Sequence, residues 1–153
     1  MNGGALFASF EVSAHPTLCW FASRNRLAET GFPGWFLGSP QLGAALPELA
    51  ETTELPDPGR LGWGYGFTLD GELASALVGG GAYAAFEGTA AEAKELGARF
   101  ARALYGDRFT EVLVYRWNEP WSTWFYGIAW DSTWTVVDKR SRRISILAVT
   151  DVD

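Results

Sequence analysis

The chain has 153 residues, 48% of them hydrophobic and 20% charged, with 18 acids against 12 bases for a net charge of −6. That balance excludes a disordered chain, which would pair low hydrophobicity with high charge, and the length suits one globular domain, 1–153, that buries a core without staples. One cysteine, Cys19, and one histidine, His15, exclude an internal disulfide and any metal site built from several such ligands.

In chain order, Leu6–Ser13 reads as a first strand, ending near His15-Pro16, because a proline biases the residue before it away from helix. This segment lacks a basic start and Glu11 interrupts its apolar run, so it does not read as a secretory leader. Residues 31–47 are rich in Gly and Pro and read as loop. Within them Ser39-Pro40 can open a short N-terminal helix, with serine as the cap and Leu42, Ala45 and Leu46 inward. Residues 48–59 hold four acids and no base and read as a surface loop or a frayed helix end. Trp63–Leu69 suggests a strand and Asp70-Gly71 a turn. Glu72–Val78 is open between helix and strand, and Ala82–Glu87 reads as a strand beyond the Gly79–Gly81 break.

The clearest signal is Thr89-Ala90-Ala91-Glu92, a capping box whose side chains satisfy free backbone N–H groups at a helix start. Ala93, Leu96, Phe100 and Leu104 then repeat at helical spacing. Glu95 and Arg99 form a favourable i,i+4 pair, and Gly106 supplies the stop. The expectation is a helix over 90–105 whose apolar stripe packs on a sheet. Four strands follow: Phe109–Trp117, Thr123–Trp130, Thr133–Asp138 and Ile144–Thr150. Their short connections imply an antiparallel meander. The fold class is therefore α+β: a C-terminal antiparallel meander packed against one main helix, with a shorter N-terminal helix.

Few motifs carry chemistry. His15 has no flanking triad or metal pattern and reads as a turn histidine. Cys19, within Leu18-Cys19-Trp20-Phe21, reads as a buried structural thiol. Gly62-Trp63-Gly64-Tyr65-Gly66 lacks the strand–helix context of a dinucleotide fingerprint and the lysine of a phosphate loop. No cofactor and no metal are implied. The stretch Leu73–Phe86 is apolar but too short to span a bilayer and broken by three glycines. A cytoplasmic protein that does not engage membranes is expected.

Charge and aromatics remain. Residues 1–98 hold 11 acids and 4 bases, a net of −7, while residues 99–153 hold 7 acids and 8 bases, a net of +1. An acidic field repels nucleic acid and attracts basic partners. Trp117, Trp121, Trp124, Trp130 and Trp134 fall within 18 residues. On a strand over 123–130, Trp124, Tyr126, Ile128 and Trp130 share one face, as core or as a stacking surface. Trp121 in its turn, then Trp35 and Trp63, are the tryptophans expected at the surface. The basic run Lys139–Arg143 reads as a solvated hairpin turn. Asp131, Asp138, Asp151 and Asp153 at strand ends make turns or, alternatively, supply the paired carboxylates of a glycosidase-like enzyme.

The stretch Trp124-Phe125-Tyr126-Gly127-Ile128-Ala129-Trp130-Asp131-Ser132-Thr133-Trp134, continuing to Thr150-Asp151-Val152-Asp153, resembles small bacterial immunity proteins encoded beside polymorphic toxins. The resemblance covers the last third of the chain and transfers no functional residue. It implies a compact inhibitor in interbacterial competition, which binds a cognate toxin and occludes its active site. The expectation is thus a binding protein rather than an enzyme, a monomer or weak dimer whose partner presents a basic cleft. The candidate contact residues are Glu48, Glu51, Glu54 and Asp57, with Trp63 and Tyr65 as aromatic anchors. Two other classes stay open: a carbohydrate-binding module using exposed tryptophans, and a small enzyme using the strand-end aspartates.

Overall fold

In the computed structural model, which describes residues 3–81 and 85–151, five strands form one antiparallel sheet in the order β1-β5-β4-β3-β2. They are β1 (Gly4–Glu11), β2 (Gly62–Tyr65), β3 (Val112–Trp117), β4 (Ser132–Asp138) and β5 (Arg143–Thr150). The last three pair in sequence as a meander. Strand β1 closes one side on β5, and β2 pairs with β3 at the other. The helices are α1 (Pro16–Ser23), α2 (Phe32–Leu37), α3 (Pro40–Ala45), α4 (Leu69–Gly79) and α5 (Ala90–Tyr105).

Side-chain alternation along the strands gives the sheet two apolar faces. On one, Leu113, Tyr115, Val137, Ile144, Ile146 and Ala148 pack with Leu27, Phe36, Leu37, Leu42 and Leu49 from the N-terminal segments. On the other, Val112, Val114, Trp134 and Val136 meet Leu69 and Leu73 of α4 and Ala101 and Tyr105 of α5. The sheet is therefore covered on both sides, and α5 shares its face with α4.

Local chemistry starts α3 and α5 where the sequence places them, whereas α1 and α2 were not expected. Ser39 Oγ accepts the Leu42 N–H at 3.3 Å, and Pro40 fixes the first turn of α3. At α5, Thr89 Oγ1 accepts the Glu92 N–H at 3.2 Å and the Glu92 carboxylate accepts the Thr89 N–H at 2.6 Å. That reciprocal pair holds the Glu92 carboxyl below the usual carboxylate range.

Several expectations are overturned. The α5 residues that are buried are Ala93, Gly97, Ala101 and Tyr105, whereas Leu96 is 37% exposed. The cause is close helix packing: a Cβ on Gly97 would press on the Asp70 carbonyl of α4. Small side chains line this seam together with Tyr105, so the buried stripe is rotated toward them, while Ala93 of the expected stripe is buried and Phe100 and Leu104 pack partly buried against the second core. Ala45 of α3 faces solvent while Leu42 and Leu46 are buried. Cys19 is exposed, because α1 lies on the surface with no fully buried residue.

The segment 123–130 is not a strand. Its backbone donors are taken up locally: Ser122 Oγ accepts the Trp124 N–H, and the buried Asp131 carboxylate accepts those of Gly127 and Ile128 at 2.7 and 3.1 Å. Gly127 there adopts φ 75°, left-handed backbone that glycine tolerates without strain. Trp121, expected at the surface, is fully buried and its indole Nε1–H donates to Thr133 Oγ1 at 2.8 Å. Trp35 and Trp63 are exposed as expected, at 59% and 43%. Glu72–Val78 lies within helix α4. Of the strand expected over 82–87, residues 82–84 lie outside the described residues and 85–87 are irregular. Asp153 also lies outside them.

Candidate functional site

Strand β2 is short, pairs with β3 alone among the described strands, and brings aromatics to the rim of the sheet. Trp63 and Tyr65 stand on the same face, opposite Tyr115 and Leu113. Their rings meet edge to face at 5.3 Å, Tyr65 and Phe67 at 6.3 Å, and Phe67 stacks on Phe109 at 5.1 Å. Trp63, Phe67 and Phe109 are all exposed, Phe67 at 58%. The row is anchored from beneath: Tyr105 packs edge-on against Phe109 and donates its hydroxyl to the Gly66 carbonyl at 2.6 Å. Asn25 Nδ2 donates to the Tyr65 hydroxyl at 3.0 Å, so Tyr65 is held while Trp63 and Phe67 are presented.

The acidic segment is an ordered surface feature. Thr53 N–H donates to the Trp121 carbonyl and Thr123 N–H to the Glu51 carbonyl, both at 2.9 Å, flanking a bridge between Thr52 and Ser122. On its other side the segment lies against α2. A Cβ on Gly34 would come within 2.6 Å of the Pro56 carbonyl oxygen, and one on Gly38 within 2.9 Å of the Leu55 side chain. Two glycines one turn apart therefore let this stretch seat tightly on the helix.

Glu48, Glu51, Glu54 and Asp57 are all exposed, and their local roles differ. Thr123 Oγ1 donates to Glu51 Oε2 at 3.3 Å. Asp57 Oδ1 accepts the Gly59 N–H at 2.9 Å and opens a single 3-10 turn leading into β2. Glu54 and Asp57 line a cleft of about 180 Å³ with Leu55, Arg60, Trp117, Glu119 and Pro120; Glu48 and Glu51 are not among its lining residues. Arg60 pairs with Glu119 at 2.9 Å with both side chains more than half exposed, an interaction of only about 0–1 kcal/mol. Arg60 also lies over the Trp117 ring at 5.8 Å. The cleft thus carries three carboxylates to one guanidinium, with one indole wall, at the β2–β3 end where Gly62 faces Arg116. It suits an incoming ammonium or guanidinium group, which would relieve the excess negative charge.

Glu119, Arg60, Phe67 and Phe109 were not singled out by sequence reasoning. Glu119 reads locally as part of a proline turn, and Phe67 and Phe109 lie 42 residues apart. Only the pairing of β2 with β3 assembles them.

Two of the strand-end carboxylates are engaged in structure. Asp131 is buried and also accepts the Thr150 hydroxyl at 2.6 Å. Asp138 is paired with Arg108 at 2.6 Å and accepts the Arg140 and Ser141 N–H groups. Burial raises the Asp138 pKa, but the Arg108 guanidinium and the Ser141 donors outweigh it, leaving the carboxyl below its ordinary range. A larger cleft of about 520 Å³ is lined by Phe86, Arg116, Trp130, Trp134 and Asp151 among others. Of its two tryptophans only Trp130 is exposed; Trp134 is covered by Arg116 at 5.1 Å and donates to Glu72 at 2.9 Å. Among the described residues no group of three or more His, Cys, Asp and Glu is placed to hold a metal ion, and no helix is long and apolar enough to cross a membrane.

No protein-family model matches the chain, and neither curated protein sequences nor solved structures yielded a match.

Proposed function

We propose that the protein is an immunity-type inhibitor that binds a basic surface of a cognate bacterial toxin and occludes its active site. One observation carries the reading. An acidic cleft formed by Glu54, Asp57 and Glu119 adjoins the start of an exposed aromatic row, Trp63–Tyr65–Phe67–Phe109, on an outer strand. Interfaces are anchored by a few aromatics in a rim of complementary charge, and both parts are present here on rigid supports. The edge-to-face geometry of Trp63 and Tyr65, with an interplanar angle of 89°, offers ridges to interdigitate with a partner rather than a flat platform for a sugar ring.

The test is protection in cells. The chain is co-expressed with the toxin domain encoded next to its own gene, alongside E54Q/D57N/E119Q and W63A/F67A variants whose melting is first shown to match wild type. The reading expects protection by wild type and its loss in both variants. Absence of protection by the wild-type chain would remove the reading.

A carbohydrate-binding reading rests on Trp130 in the larger cleft. It expects oligosaccharides to change tryptophan fluorescence in wild type and not in W130A. No such change would leave that cleft without a sugar.

A further inference from the structure

On the same sheet face as the first core, between α1 and the sheet, lies an apolar pocket of about 130 Å³. Its walls include Leu18, Ala22, Leu27, Phe32, Val137 and Ile144. An apolar cavity of about 150 Å³ takes a benzene-sized guest, so this one suits a ring or chain of about six carbons. Its rim carries two cations, Lys139 and Arg142, beside His15, and no carboxylate is among its lining residues.

The cations are poised rather than neutralised. Lys139 Nζ donates to Asn25 Oδ1 at 2.8 Å, one of three N–H donors the ammonium carries. Partial burial lowers the Lys139 pKa, with Glu111 opposing, so a nearby anion would be welcome. The neighbouring Arg143 pairs with Glu11 at 3.0 Å, whereas Arg142 makes no side-chain hydrogen bond or ion pair among the described residues. Its backbone sits at φ 50°, and its carbonyl accepts the Val12 N–H at 2.8 Å, which fixes the turn over the pocket mouth. His15 Nδ1 faces the Leu18 N–H at 3.5 Å, which leaves its other ring nitrogen free of that contact.

We propose that this pocket binds a small amphipathic carboxylate, its apolar part of about five or six carbons between α1 and the sheet and its carboxylate on Lys139 and Arg142. This site shares no lining residue with the acidic cleft, and Asn25, which accepts from Lys139 and donates to Tyr65, links it to the aromatic row. An apolar group alone would leave the cations unused, and a simple inorganic anion would leave the pocket unfilled; one molecule carrying both satisfies both.

The probes are hexanoate and benzoate, followed by amide chemical shifts on the full chain. Hexanoate should give saturable shifts at Leu18, Ala22 and Val137. R142N, which keeps a residue tolerant of positive φ, and K139Q should each weaken binding by about tenfold or more with unchanged amide dispersion elsewhere. Hexanol should bind at least tenfold more weakly than hexanoate. A ligand this small is expected near a millimolar Kd, so the absence of saturable shifts at about 10 mM would overturn the proposal. So would hexanol binding as tightly as hexanoate, or shifts confined to the basic turn with none at Leu18 and Ala22.

Discussion

The seam between α4 and α5 sets two opposing effects against each other at Gly97. Glycine within a helix is less favourable than alanine by about 1 kcal/mol, so propensity alone makes Gly97→Ala stabilising. The packing says otherwise. The added Cβ would overlap the Asp70 carbonyl oxygen and lie 3.1 and 3.2 Å from its carbonyl carbon and Cα. These are backbone atoms, so no rotamer change relieves them. Helix α4 must move outward, loosening Leu69 and Leu73 from the second core. Overpacking of this kind costs about 1–3 kcal/mol, and a backbone obstacle belongs at the upper end. Subtracting the propensity gain leaves a net loss of about 2 kcal/mol. With a urea m-value of about 2 kcal/mol/M, the unfolding midpoint should fall by about 1 M. Gly79, near the end of α4, provides the opposite sign in the same experiment: a Cβ there meets nothing within 4 Å, so Gly79→Ala should add about 0.4–1 kcal/mol and raise the midpoint by about 0.2–0.5 M. A midpoint for Gly97→Ala at or above wild type would refute the close-packed seam.

Two further predictions concern buried polar groups. Asp131→Ala strands the Gly127 and Ile128 N–H groups and the Thr150 hydroxyl, and should cost about 3 kcal/mol or more in urea; a loss under about 1 kcal/mol would show that the 123–130 loop holds its shape without the carboxylate. Burial, with Asp70 adding, pushes the Tyr105 phenol up to about 12 from 10.0. The folded pKa exceeds the unfolded one, so this contribution is complete below pH 10 and is lost as pH rises toward 12. Tyr105→Phe should therefore lose stability less steeply than wild type across that range in alkaline titrations followed by circular dichroism, and parallel curves would contradict the assignment.

Helix α5 was legible because its start is written in contiguous residues, Thr89 to Glu92, and its end in Gly106. The direction it faces was legible only in part, in Ala93, Phe100 and Leu104, because hydrophobic periodicity counts large side chains, and here Gly97 lets a neighbouring backbone approach. The alternating aromatics of 123–130 imitate a strand, yet Asp131, Ser122 and Gly127 claim the backbone in a loop, and side-chain acceptors of this kind are invisible to periodicity. The turn position of Trp121 suggested exposure, while Thr133, on a strand 12 residues away, accepts its indole N–H in the core. At the candidate site, Asp57 and Trp63 lie close in sequence, which is why their neighbourhood could be read directly. Glu119, Phe67 and Phe109 join them only through β2–β3 pairing, a long-range event that local spacing does not encode. Cys19 was misplaced for a related reason: Leu18-Cys19-Trp20-Phe21 is apolar throughout, which suggests burial, but the helix carrying it lies across the surface.

The proposed docking of a basic partner on the acidic cleft and its aromatic row divides into an encounter step and a residence step. Stopped-flow association and dissociation rates with the cognate toxin domain, for wild type, E54Q/D57N/E119Q and W63A/F67A at low and high salt, test it most directly. Charge complementarity acts mainly on encounter and buried anchors on residence. The triple variant should associate more slowly and nearly independently of salt, and W63A/F67A should dissociate faster at unchanged association. Rates for both variants indistinguishable from wild type at low salt would place the partner elsewhere on the molecule.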